Sequence, residues 1–169
     1  MTSKRCLLAA TLVAMGAMLI GTPKASANAE QVPFTGSYSG SVAVDFTVGT
    51  ATLNGSGTAT LLGRSTNDGF VQILGPGPAG SCPGGLAAVN TETLTAASGD
   101  TLVLVVYDDI SCPEPPGLRF HGTGHWRVTG GTGRFSGATG QGFFDGHGDF
   151  DQGVFRFDLT GTISAPDED

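Results

Sequence analysis

The sequence predicts an all-β domain: an antiparallel barrel of about eight strands, with a β-sandwich as the alternative. Three observations carry this. Beyond the first thirty residues no apolar pattern recurs at helical spacing, period-two alternation is common, and Thr, Val and Phe are plentiful. The connections between alternating runs are short, which favours antiparallel pairing, and eight such strands manage their edges by closing or stacking. Glycines inside the runs, such as Gly122, Gly124, Gly146 and Gly148, suit a strongly curved sheet and tilt the choice toward a barrel.

The elements follow in order. Residues 41–47 place Val42, Val44 and Phe46 on one face, with Ala43 and Asp45 on the other. Residues 50–62 form a Thr-rich run interrupted at Asn54-Gly55, and 70–74 is a short apolar strand. Residues 87–96 end at the turn Ser98-Gly99-Asp100. Residues 101–107 (TLVLVVY) are apolar on both faces, the pattern of a central strand. Residues 118–129 alternate cleanly: Phe120, Gly122, Gly124, Trp126 and Val128 share one face, and Arg119, His121, Thr123, His125 and Arg127 the other. Residues 140–150 and 154–164 complete the set, the last with Phe155, Phe157, Leu159 and Ile163 in phase.

The chain begins with a segment of another kind. Lys4 and Arg5 precede an apolar run over 6–20 that is shorter than the roughly 20 residues a membrane-spanning helix needs. Gly21-Thr22-Pro23 breaks it, and Ala25-Ser26-Ala27 offers a small-x-small cleavage site. We read 1–27 as a signal peptide, cleaved after Ala27 or, by the same rule, Ala29, with an uncleaved anchor as the bland alternative. Residues 28–164 then form a single domain, and 165–169 (APDED) a disordered acidic tail. Secretion is the expected localisation, with no stable membrane anchor after cleavage.

Cleavage would leave five arginines, no lysine and all fifteen acids. Five scattered arginines against that background cannot build a groove for nucleic acid, and binding to anionic lipid is disfavoured for the same reason. Cys82 and Cys112 remain, each in a Pro/Gly-rich loop, and an even count in an exported chain favours a disulfide over a free catalytic thiol.

Three segments carry a resemblance: GSGTATLLGRST (55–66), LTAASGDTL (94–102) and VTGGTGRFSGATG (128–140). In that order and at those spacings the chain resembles uncharacterised bacterial secreted β-proteins, which are similar to the small barrels of the allene oxide cyclase and dirigent type. The likeness spans about 36–164 and is sharpest at Gly130, Gly131, Gly133, Arg134, Phe135 and Gly137. It implies a fold, and folds of this kind host unrelated functions. Read physically, this is a structural loop: glycines allow positive φ, Phe135 plugs one end of the core, and Arg134 bonds loop carbonyls or an acid. It lacks the Lys-Ser/Thr and following helix of a phosphate-binding loop.

Candidate chemistry is sparse. Asp145, His147 and Asp149 project from one face of a strand at about 6–7 Å intervals, a donor set suited to a cation such as zinc but widely spaced for one ion. The competing reading is a solvated strand face with Phe144 and Phe150 behind it. His121 and His125 lie roughly 13 Å apart along their strand and cannot chelate together, although strand pairing could bring His147 beside one of them. Asp108-Asp109 reads as a solvated loop pair. Tyr107, Glu92 or Asp45 could face a barrel interior. The catalytic residues remain unassigned, no cofactor is expected, and the oligomeric state is open. The sequence favours a non-enzymatic domain that binds a small apolar or sugar-like ligand or an extracellular surface. The alternative is an isomerase or cyclase of the allene oxide cyclase type, which requires an apolar cavity holding a buried carboxylate, tyrosine or histidine.

Overall fold

A computed structural model describes residues 30–165. Residues 1–29, which hold the expected signal peptide, and residues 166–169 of the expected tail lie outside the described residues. Eight strands run in chain order: β1 (Gln31–Asp45), β2 (Thr50–Ala59), β3 (Gly63–Pro76), β4 (Leu86–Ala96), β5 (Thr101–Pro113), β6 (Arg119–Gly131), β7 (Gly140–Asp149) and β8 (Val154–Ser164). Each pairs antiparallel with the next, and β1 pairs with β8, so the sheet closes into a barrel and leaves no edge.

Closure follows from side-chain period. In β1 the inward residues Phe34, Tyr38 and Val42 are buried, while Thr35, Ser37, Ser39 and Ser41 face out. In β8 Phe155, Phe157, Leu159 and Ile163 face in, with Arg156, Asp158 and Thr160 outside. The apolar face therefore points inward and the polar face outward, the reverse of a membrane-spanning barrel. Among the described residues no helix is long and apolar enough to cross a membrane.

Several strands extend beyond the sequence reading. β1 begins ten residues earlier than 41, at Gln31, and β3 begins at Gly63, because Gly- and Ser-rich stretches carry little β signal yet sit in register against their neighbours. β2 runs unbroken through Asn54-Gly55, paired with Ser41 and Gly40. Glycine is there for space: a Cβ on Gly55 would fall 2.8 Å from the Phe155 ring. Nor is any strand central, since every strand of a closed barrel has two neighbours. β5 buries Leu102, Leu104 and Val106 completely and leaves Val103 and Val105 half-buried on the outside.

The two ends differ. The 3-10 turn Gly133–Phe135 closes one, driving Phe135 inward onto a fully buried layer that includes Phe34, Leu94, Leu102, Trp126 and Ile163. In the glycine-rich loop Gly133 and Gly137 take φ of 57° and 75°, whereas Gly131 is needed for room, a Cβ there falling 2.4 Å from the Phe135 carbonyl oxygen. Gly130 has neither constraint. Arg134 donates to the Leu61 carbonyl, and its Nε lies 3.6 Å from Asp100.

The opposite end is a mouth, ringed by the β1–β2, β3–β4, β5–β6 and β7–β8 connections. Cys82 and Cys112, Cα atoms 5.8 Å apart, form a disulfide that ties the β3–β4 loop to the end of β5. It closes a separation of 30 residues. Replacing both cysteines by serine is expected to cost about 3–4 kcal/mol in urea unfolding, through the chain entropy restored to the unfolded state. A loss below about 1 kcal/mol would show that the loop is already constrained without the bond.

Candidate functional site: a carboxylate-floored cavity at the barrel mouth

Inside the mouth lies a cavity of about 100 Å³. Its walls are largely apolar: Val42, Leu53, Val71, Phe120, Phe144 and Phe155 are representative. The buried polar side chains come from β4 and β5, while His147 of β7 and Arg156 of β8 also border the cavity. Asn90 and Asp109 line the cavity, and Glu92 lies one inward position further along β4, fully buried.

A local irregularity puts Asp109 there. Even-numbered residues of β5 point inward from Leu102 to Val106. The pairing with β6 then slips between Tyr107 and Ile110, with Asp108 at φ 52°, so the extra residue reverses the phase and Asp109 faces in. Asp109 is only 3 % exposed. The solvated Asp108-Asp109 loop expected from sequence is corrected in this respect, because a bulge inverts the alternation that reading relied on. Gly124 and Gly122 of β6 make room: a Cβ on the first would fall 3.0 Å from the Asp109 Cα, and on the second 2.9 Å from its Oδ1. Gly69 does the same for Glu92, whose Oε2 would sit 2.3 Å from a Cβ at that position.

Both carboxyls are held away from their ordinary ionisation. Burial pushes Glu92 up to about 8, opposed by the amide of Asn67 and reinforced by the nearby charge of Asp109. Although Asn67 faces Glu92, neither side chain completes a hydrogen bond of normal geometry within the protein. Burial raises Asp109 to about 6, against the stabilising hydrogen bond from Asn90, whose Nδ2 donates to Oδ2 at 3.2 Å. That bond fixes the carboxyl and leaves Oδ1 without a protein partner. Further toward the closed end, the Tyr38 hydroxyl pairs with Ser65 at 2.7 Å, and burial raises its ionisation as well.

Of the other residues considered from sequence, Tyr107 and Asp45 lie outside the cavity. Tyr107 stands with His125, ring centroids 6.0 Å apart, and Arg127 covers its ring at 5.5 Å. Asp45 is exposed and accepts a hydrogen bond from the Thr47 backbone.

A second cluster sits on the outer wall. β6 and β7 pair so that His121 is opposite His147, their rings stacked 4.3 Å apart. Asp145 Oδ2 is 3.2 Å from His121 Nε2, and its Oδ1 is 3.8 Å from His147 Nε2. His121 thus joins Asp145 and His147. Asp149 is not brought to them: it lies opposite Arg119 and accepts from the Gln152 backbone at 3.0 Å. His125 is also apart, beside Phe143.

No protein-family model, curated protein sequence or solved structure matches this chain.

Proposed function

We propose that this protein is an exported isomerase or cyclase that acts on a small, largely apolar molecule in the mouth cavity. The observation that carries the reading is the buried carboxyl of Asp109 on the lining of an apolar pocket, with a second buried carboxyl, Glu92, behind it on β4. Burying two such groups without full hydrogen bonding costs stability and gains nothing structural. The signal-like N-terminus and the disulfide support export. The sequence likeness to allene oxide cyclase-type barrels supports the barrel fold alone, and the reaction class rests on the buried carboxyl in the cavity.

In this reading Asp109 is the catalytic residue. In its protonated form it donates through Oδ1 to a carbonyl or epoxide oxygen of the substrate, and it takes the proton back as the rearranged product forms. The exchange is proton-neutral and needs no co-substrate. Asn90 positions the carboxyl, and the Glu92 charge, when present, opposes ionisation of Asp109. The cavity walls fold the substrate and exclude water. Their apolar character favours such a molecule over the sugar-like ligand that the sequence left open.

The test is incubation with C6–C10 unsaturated ketones and epoxides, followed by chiral gas chromatography. Turnover is expected to be highest below pH 6 and to fall as Asp109 ionises. Asp109→Asn is expected to remove turnover while native mass spectrometry still detects the bound compound. A second reading, a binding module without chemistry, rests on the same apolar lining. It is favoured if compounds bind to both proteins and neither converts them. If nothing binds, both cavity readings fail.

A further inference from the structure

We propose that His121, Asp145 and His147 form a binding site for a divalent transition-metal cation, zinc by preference, on the outer wall of the barrel. One ligand atom from each of the three residues can be chosen so that all lie within 4.8 Å of one another. A tetrahedral zinc with bonds of about 2.0–2.2 Å needs donors somewhat over 3 Å apart. Asp145 Oδ2 stands 3.2 Å from His121 Nε2 and its Oδ1 3.8 Å from His147 Nε2, so the carboxylate reaches each imidazole through a different oxygen, at spacings of the right order. The imidazoles lie parallel, 4° apart, so each must turn about its Cβ–Cγ bond to aim Nε2 at one point. Their side chains are 35 % and 30 % exposed, which leaves room for that rotation.

Two features distinguish this cluster from a polar strand face. The ligands come from two strands whose register puts the histidines directly opposite, so the backbone ladder sets their separation. Behind His147, Glu114 Oε2 stands 3.4 Å from Nδ1. A carboxylate accepting from Nδ1–H selects the tautomer whose Nε2 is free for a metal, an arrangement that accompanies most ligating histidines. Two nitrogens and one carboxylate suit zinc, or copper and nickel, and not calcium, which wants more oxygens. Arg156 lies opposite His147 and opposes a cation, whereas Asp158 opposite Asp145 favours one, as do Glu114 and the acidic chain as a whole. Three protein ligands leave one coordination position for water or an anionic ligand.

The experiment is a competition titration of Zn²⁺ against a chromophoric zinc chelator. It uses the purified disulfide-bonded protein without a polyhistidine tag, with circular dichroism confirming that each variant is folded. One equivalent per chain is expected. His121→Ala and Asp145→Asn should each weaken binding about 100-fold or more, and Glu114→Gln by about 10-fold, the scale of removing an orienting partner. Asp149→Asn and His125→Ala should bind as the parent does. The proposal is overturned if the parent binds no stoichiometric zinc, if His121→Ala binds undiminished, or if Asp149→Asn loses as much as Asp145→Asn.

Discussion

Glu92→Gln is expected to stabilise the barrel by about 4–5 kcal/mol at pH 9 and to leave it nearly unchanged at pH 4. The folded protein holds Glu92 at about 8, against an ordinary value of 4.5. A raised carboxyl binds its proton more tightly in the folded state than in the unfolded one. Its contribution is therefore intact below pH 4.5 and is lost as pH climbs through 8. Glutamine keeps the shape of the protonated acid and never ionises, so the penalty disappears. Asp109 acts in the same direction, raised from 3.8 to about 6, and Asp109→Asn should recover about 3 kcal/mol above pH 7. The wild-type barrel should thus be most stable in mild acid and weaken steadily from about pH 4.5 to 8. Urea unfolding at a series of pH values measures this directly. Parallel curves for Glu92→Gln and wild type would mean that the carboxyl is hydrated in the folded protein.

That penalty is a large share of the 5–15 kcal/mol by which domains are usually stable. Nothing in the fold returns it: both oxygens of Glu92 lack a hydrogen-bond partner, as do Asp109 Oδ1 and Asn90 Oδ1. An apolar residue at either position would extend the surrounding core of Leu53, Leu94 and Leu104. Positions where local consistency is broken without structural compensation are where function is sought first.

The same logic explains what the sequence disclosed. Strand number, antiparallel order and closure were legible because alternation in β5, β6 and β8 is strong and the connections are short. The closing plug was legible too, since Phe135 stands alone among glycines. The cavity floor was not. Glu92 sits in an alternating run that gives no indication of which face is inside, because Thr and Val occupy the other. Asp109 was hidden by the bulge at Asp108, a backbone event with no sequence signature beyond two adjacent acids. Strand pairing was expected to bring His147 beside His121 or His125, but spacing along one strand, where Asp149 looked equivalent to Asp145, carries no information about which cross-strand neighbours meet. Register fixed the choice: β7 pairs His147 with His121 and Asp149 with Arg119.

Trp126→Ala is expected to cost about 3–5 kcal/mol, near the top of that range. The indole is fully buried at the closed end, edge-on to Phe34 with ring centroids 5.4 Å apart, and its Nε1–H donates to the Phe143 carbonyl at 3.1 Å. Gly142 and Gly161 lie against it, and a Cβ on either would fall 2.6 or 2.7 Å from the ring. Having no side chains, they cannot move into the void, so the space left by the indole stays open and the loss is nearly complete. Trp126 takes no part in lining the mouth cavity. The folded fraction of Trp126→Ala should therefore take up the same C6–C10 compounds as wild type in native mass spectrometry, while its unfolding midpoint in urea drops. Asp109→Asn has the opposite signature: greater stability above pH 7 and no turnover. Finding both patterns would separate the end of the barrel that holds the fold from the end that carries the chemistry. Loss of uptake in Trp126→Ala would show instead that the two ends are mechanically one.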